Sequence, residues 1–161
     1  MTKTYKSGII IGKFMPLHTG HLNLITYGLK YCKKITILLV ATKKDPIEPK
    51  LRYSWLIEHY KNNPNLNIEV TFRDNINKLP QKERTAAWCK LIENRYSGLD
   101  CIISSESYGD KLADYLGVTN LKFDHKRKMT PISATEIRAN YKKHIHYLPD
   151  HVKPFFSTEK K

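Results

Sequence analysis

No stretch of this 161-residue chain approaches the roughly 18 uninterrupted apolar residues that a membrane-crossing helix requires, so nothing in it is expected to span a bilayer. Cysteine is sparse. Cys32, Cys89 and Cys101 are odd in number, far apart and set in apolar surroundings, which suits neither a disulfide framework nor a zinc cluster and points to a reducing cytoplasm. Both common phosphate loops, GxGxxG and GxxxxGK[ST], are missing. Acidic residues are few, 15 against 28 basic ones, for a formal charge of +13. Such a charge suits nucleic acid. Yet 22 of the basic residues are lysines scattered in pairs such as Lys33-Lys34 and Lys142-Lys143, which reads as a solvated surface, and a small anionic substrate gains from the same positive field.

Short apolar runs alternate with amphipathic helical patterns along nearly the whole length. That alternation predicts one α/β domain over residues 1–161, a Rossmann-like, doubly wound, parallel five-stranded sheet with flanking helices. The strands are placed at Gly8–Gly12, Ile35–Ala41, Asn67–Phe72, Asp100–Ser104 and Asn120–Phe123. The run Ile9-Ile10-Ile11 comes too soon and is too short for a signal peptide, so it reads as the buried first strand. Helices are placed at about Gly20–Cys32, Lys50–Lys61, Lys82–Tyr96 and Ser107–Leu116, one after each of the first four strands. A basic loop, His125-Lys126-Arg127-Lys128, then leads to a short helix near Ala134–Tyr141. A terminal helix is expected from Pro149 through Phe156, with a frayed tail beyond.

The chemistry concentrates between the first strand and first helix, in Gly12-Lys13-Phe14-Met15-Pro16-Leu17-His18-Thr19-Gly20-His21. In doubly wound folds ligands bind there. The stretch combines glycine for close backbone approach, a lysine, and a helix start whose unpaired N–H groups favour anions. Two imidazoles three residues apart can face one pocket and donate to phosphate oxygens, or they can simply cap the helix. A second helix start, Ile132-Ser133-Ala134-Thr135-Glu136-Ile137-Arg138, offers Ser133 and Thr135 as caps or phosphate ligands, with Arg138 one turn in.

These two stretches resemble the GxFxPxHxGH and ISxTxxR signatures of the nucleotidylyltransferase superfamily. Further segments, Arg52-x-x-Trp55-Leu56, Ser105-Glu106, Asp124-x-x-Arg127 and Val152-Lys153-Pro154-Phe155-Phe156, resemble the adenylyltransferase domain of the bacterial bifunctional NadR proteins. The resemblance runs from about Ser7 to Phe156. It implies transfer of an adenylyl group from ATP to nicotinamide mononucleotide (NMN), with Mg²⁺ accompanying the triphosphate and no metal ligands from the protein. Lys13, His18, His21 and Arg138 would be catalytic. Gly12, Phe14, Met15, Gly20, Ser105, Asp124, Arg127, Ile132, Ser133 and Thr135 would complete the ATP site. No Walker A motif is present, so no kinase activity is expected. The DNA-binding segment of some NadR relatives would precede the first strand, where only about six residues stand, so no nucleic-acid partner is expected.

For the mononucleotide, Trp88 can stack on a cationic ring or pack in the core, and Arg52 can bind its phosphate or sit solvated at a helix start. Ser105 and Glu106 follow the fourth strand, and Asp124 and Arg127 the fifth, where each can contact nucleotide or shape a loop. Four questions stay open in the sequence. They are assembly, a homo-oligomer included; pathway context; the triphosphate, since a CTP-using or pantetheine-phosphate-like nucleotidyltransferase is the alternative; and the choice between nicotinamide and nicotinic acid mononucleotide. The acid form needs a cation beside the ring carboxylate, and the sequence does not locate one.

Overall fold

A computed structural model describes residues 3–124, 128 and 130–158. Five parallel strands, β1 (Tyr5–Gly12), β2 (Cys32–Ala41), β3 (Leu66–Phe72), β4 (Cys101–Ser104) and β5 (Thr119–Lys122), lie in the order β3-β2-β1-β4-β5. The chain winds outward from β1 to β3, then returns and winds the other way through β4 and β5. The reversal between β1 and β4 opens a crevice at the carboxyl ends of these two strands, where neighbouring crossovers run to opposite faces.

The central strands read as unbroken apolar runs because both faces of the sheet are covered. On one face Ile10, Ile35, Ile37, Leu39 and Ile103 pack with Leu24 and Ile25 of α1 (Thr19–Tyr31) and with Trp55 and Leu56 of α2 (Pro49–Tyr60). On the other, Ile9, Leu38 and Ile102 meet Cys89 and Ile92 of α4 (Gln81–Arg95) and Leu112 and Ala113 of α5 (Tyr108–Leu116). The sheet is thus sandwiched, and only its ends and edges remain for ligands.

Three local features depart from the sequence expectation. After β3 the chain first makes a four-residue turn of helix, α3 (Asp74–Asn77), before Pro80 starts α4, so this crossover holds two helical pieces. The short helix near residue 134 divides at Asn140 into α6 (Ala134–Ala139) and α7 (Tyr141–His144), followed by a 3-10 turn at Ile145–Tyr147. The terminal helix α8 (Lys153–Thr158) begins four residues later than expected. Pro154 is the cause: it lacks an N–H and its ring collides with the carbonyl four residues back, so a helix running through it from Pro149 is blocked. Pro154 is instead accommodated in the first turn of α8, and the Pro149 carbonyl accepts from Val152 N and Lys153 N.

Candidate active site

A cleft of about 640 Å³ opens at the carboxyl edge of the sheet, over the β1/β4 reversal. Gly12, Lys13, Phe14 and Met15 form its floor as the chain leaves β1. Phe14 holds a left-handed backbone conformation (φ 50°) and buries its ring against His21, with centroids 4.7 Å apart. A bulky residue rarely takes that conformation, and such strain is characteristically held at functional turns. The Met15–Pro16 peptide bond is cis.

His18 and His21 open α1 as a reciprocal cap. The Nδ1 of His18 accepts from the amide of Gly20 (3.0 Å), while the Nδ1 of His21 accepts from the amide of His18 (3.1 Å). This is the geometry that Ser and Glu usually supply at a helix start, here made by two imidazoles. Their rings lie 3.8 Å apart between centroids and both line the cleft; His18 is only 3% exposed. Capping and pocket-lining, alternatives in the sequence, are therefore combined. A nitrogen that accepts cannot carry the proton, so these bonds place the hydrogen of each neutral ring on Nε2. Gly20 is required by the same packing: a Cβ there would stand 2.8 Å from the His18 ring.

The second helix start faces the same cleft. Ser133 caps α6, its Oγ accepting from the amide of Glu136 (3.2 Å). Arg138 crosses to the first motif: its Nη1 donates to the carbonyl of Met15, and its Nη2 lies 3.5 Å from Thr135 Oγ1. One guanidinium thereby ties the two signature stretches together, 123 residues apart in the chain. Ser133, Thr135 and Arg138 all line the cleft, as do Ser105 and Asp124. Asp124 adopts a left-handed conformation (φ 48°), and its carboxylate accepts from the amide of Thr130 (3.0 Å). Asn23 of α1 donates to Thr130 Oγ1 (2.7 Å), fastening that loop to the histidine-bearing helix.

Two expected site residues stand elsewhere. Arg52, assigned to the substrate phosphate, is fully buried and does not line the cleft. Its Nε donates to the Ile47 carbonyl (2.9 Å), its Nη1 to the carbonyls of Lys13 (2.9 Å) and Val40 (3.3 Å), and its Nη2 pairs with Asp45 at 2.6 Å. Every nitrogen is committed, so Arg52 supports the cleft floor from beneath instead of meeting a ligand. Burial pushes the Asp45 carboxyl up, but hydrogen bonds from Thr42 and the Arg52 charge outweigh it and hold the group below its ordinary value. Ile132, assigned to the nucleotide, is a core side chain, 1% exposed, that roots the start of α6. Arg127 lies outside the described residues.

Trp88 of α4 is half-buried: one part packs with the core formed by Cys89 and Ile92, and another lines the cleft. Around it stand residues that sequence reading missed. Arg73 places its guanidinium carbon 5.7 Å from the Trp88 ring centroid, Arg84 donates to the carbonyls of Leu79 (3.1 Å) and Asn77 (2.9 Å), and Tyr108 donates to the Ile11 carbonyl (2.7 Å). Burial and the nearby Glu106 push the Tyr108 phenol up, so it remains a donor. Arg73 directly follows β3; the rule that drew attention to Ser105 after β4 applies to it equally. Lys13, Arg73, Arg84, Lys111 and Arg138 line the cleft together with Glu106 and Asp124, leaving its described residues with a net positive charge fit for a polyanion. Among the described residues no three His, Cys, Asp or Glu side chains gather as a metal cage.

A parallel sheet reversing at β1/β4, with two capped helix starts and an arginine closing on one cationic cleft, makes a Rossmann-like α/β domain with one candidate site for an anionic ligand. No family model matches the chain. It is similar to the trifunctional NAD biosynthesis/regulator protein NadR of Escherichia coli K12, at 28% identity over 92% of this chain and 40% of that protein. The NadR of Salmonella typhimurium LT2 is 24% identical over the same shares. The chain thus spans about 40% of the length of the curated relatives it matches. Among solved structures, a NadR protein in complex with NAD and AMP-PNP aligns with a TM-score of 0.65 and 19% identity, over 91% of this chain and 46% of that one. A Francisella tularensis bifunctional NMN adenylyltransferase/ADP ribose pyrophosphatase, complexed with AMP and a Mn ion, aligns with a TM-score of 0.63 and 21% identity, over 85% and 41%. The fold is the Rossmann-like α/β fold of these proteins.

Proposed function

We propose that this domain is a nicotinamide-nucleotide adenylyltransferase, joining ATP to NMN to give NAD and pyrophosphate. The observation that carries the reading is the convergence of both capped helix starts, through His18, His21 and Arg138, on one cleft whose far wall holds Trp88. The bound ligands of the structural relatives, NAD with AMP-PNP in one and AMP in another, support it.

The chemistry follows from charge. A phosphate oxygen of the mononucleotide, already anionic at neutral pH, attacks the α-phosphorus of ATP in line, and pyrophosphate leaves. No general base is needed. Catalysis then consists of alignment and of neutralising charge as it develops on the α-phosphoryl oxygens and the leaving group. The Nε2–H groups of His18 and His21, with the cations of Lys13 and Arg138, supply that neutralisation, and the backbone amides at the starts of α1 and α6 add to it. Ser133, Thr135, Ser105 and Asp124 shape the nucleotide site. Mg²⁺ supplies further charge neutralisation when carried in on the triphosphate, held by phosphate oxygens and water. Three free, buried cysteines suit a cytoplasmic setting.

The test is product analysis after incubating the purified chain with Mg²⁺ and each of ATP and CTP against several phosphorylated acceptors. NAD from the ATP and NMN pair is expected. A dinucleotide formed only with CTP, or with a different acceptor, would overturn the assignment.

A further inference from the structure

This inference rests on that reading and concerns the charge around Trp88. Arg73 lies over the indole at 5.7 Å, in the same cleft wall that must receive the pyridinium ring. Its position is set from three sides. The backbone amide of Arg73 donates to the Ala41 carbonyl at the end of β2 (2.9 Å), its Nε donates to Asn77 Oδ1 (2.9 Å), and the ring of Trp88 lies beneath its guanidinium. Its two terminal nitrogens make no hydrogen bond among the described residues. Arg84 and Lys111 line the same cleft, Arg84 held by the carbonyls of Leu79 and Asn77. Of the cleft's carboxylates, Asp124 accepts from the Thr130 amide, and Glu106 lies near the Tyr108 phenol, which also feels the Arg73 charge.

An indole face alone favours a cationic ring. With a guanidinium on that face, a pyridinium bearing an uncharged carboxamide brings a second positive charge to the same place. A pyridinium bearing a carboxylate brings no net charge, and its two oxygens match the two terminal nitrogens of a guanidinium in the fork geometry that makes such pairs strong. We propose that Arg73 is a specificity-determining residue that admits nicotinic acid mononucleotide as a substrate of this site, by pairing with the ring carboxylate where the ring lies beside Trp88.

The experiment measures kcat/KM for both mononucleotides, with ATP and Mg²⁺, in the full chain and in its Arg73→Met and Arg73→Lys variants, alongside the melting temperature of each. The unaltered chain is expected to adenylylate the acid form. Arg73→Met should lower the acid-to-amide ratio of kcat/KM about 10- to 100-fold, as expected for loss of a charged hydrogen-bonded pair. Arg73→Lys, which keeps the charge and loses the fork, should fall between. A variant that merely damages folding lowers both substrates together and leaves the ratio in place, and that outcome counts against the proposal. Turnover of the amide alone by the unaltered chain overturns this inference and spares the parent reading, whereas no dinucleotide from either mononucleotide brings down both.

Discussion

His18 caps α1, and on the proposed reading it also donates to a phosphoryl oxygen, two roles that a substitution can separate. Asparagine is a strong helix cap and can keep the bond from the Gly20 amide, but it has no imidazole N–H to offer a phosphoryl oxygen. His18→Asn should therefore keep a melting temperature near that of the unaltered chain while kcat falls on the order of 100-fold or more, the usual result of losing one transition-state donor. His18→Ala should lose the same activity and about 1 kcal/mol of stability besides. Full turnover in a folded His18→Asn protein would leave the ring a cap and nothing more. Trp88→Ala should chiefly raise KM for the mononucleotide, and an unchanged KM would reduce the residue to packing. The histidines, Ser133 and Arg138 were legible because each belongs to a contiguous stretch whose spacing fixes its place at a helix start. Arg73 was not, since its approach to Trp88 depends on how the α3 turn folds back, and no local pattern records that. Arg52 misled for the converse reason: an arginine opening a helix is usually solvated, and only the loop from Thr42 to Glu48 folding over it makes it a buried anchor.

At the level of elements, β1, β2 and their flanking helices could be read from apolar periodicity because both sheet faces demand it. The segments governed by proline and by single backbone kinks, at Pro80, Asn140 and Pro154, could be located only approximately, since competition between adjacent start and stop signals is decided by packing. The anchor beneath the cleft yields a stability test. The Asp45 carboxyl is held below its ordinary value, so its contribution is fully present above the unfolded value of about 3.9 and is lost as pH falls through the lower folded value. Asp45→Asn leaves the buried Arg52 without its counter-charge and should cost about 3–5 kcal/mol at pH 7. The gap from the unaltered chain should narrow as the medium is acidified below pH 4, read from denaturant midpoints. A gap that stays constant or widens toward acid would show that the pair does not hold this loop.

Over the whole molecule, the excess of positive charge is shared between a lysine-rich surface and the cleft, where Lys13, Arg73, Arg84, Lys111 and Arg138 outnumber Glu106 and Asp124. The sheet order places that concentration at the single reversal of winding, so fold and charge select the same spot. The central claim is that the cleft aligns an acceptor phosphate against the α-phosphorus of ATP and against no other phosphorus. ATP labelled with ³²P at the α or the γ position, incubated with the chain, Mg²⁺ and NMN, tests it most directly. The account requires α-label in the dinucleotide and γ-label in pyrophosphate; γ-label in the acceptor, or its release as inorganic phosphate with ADP, would contradict it.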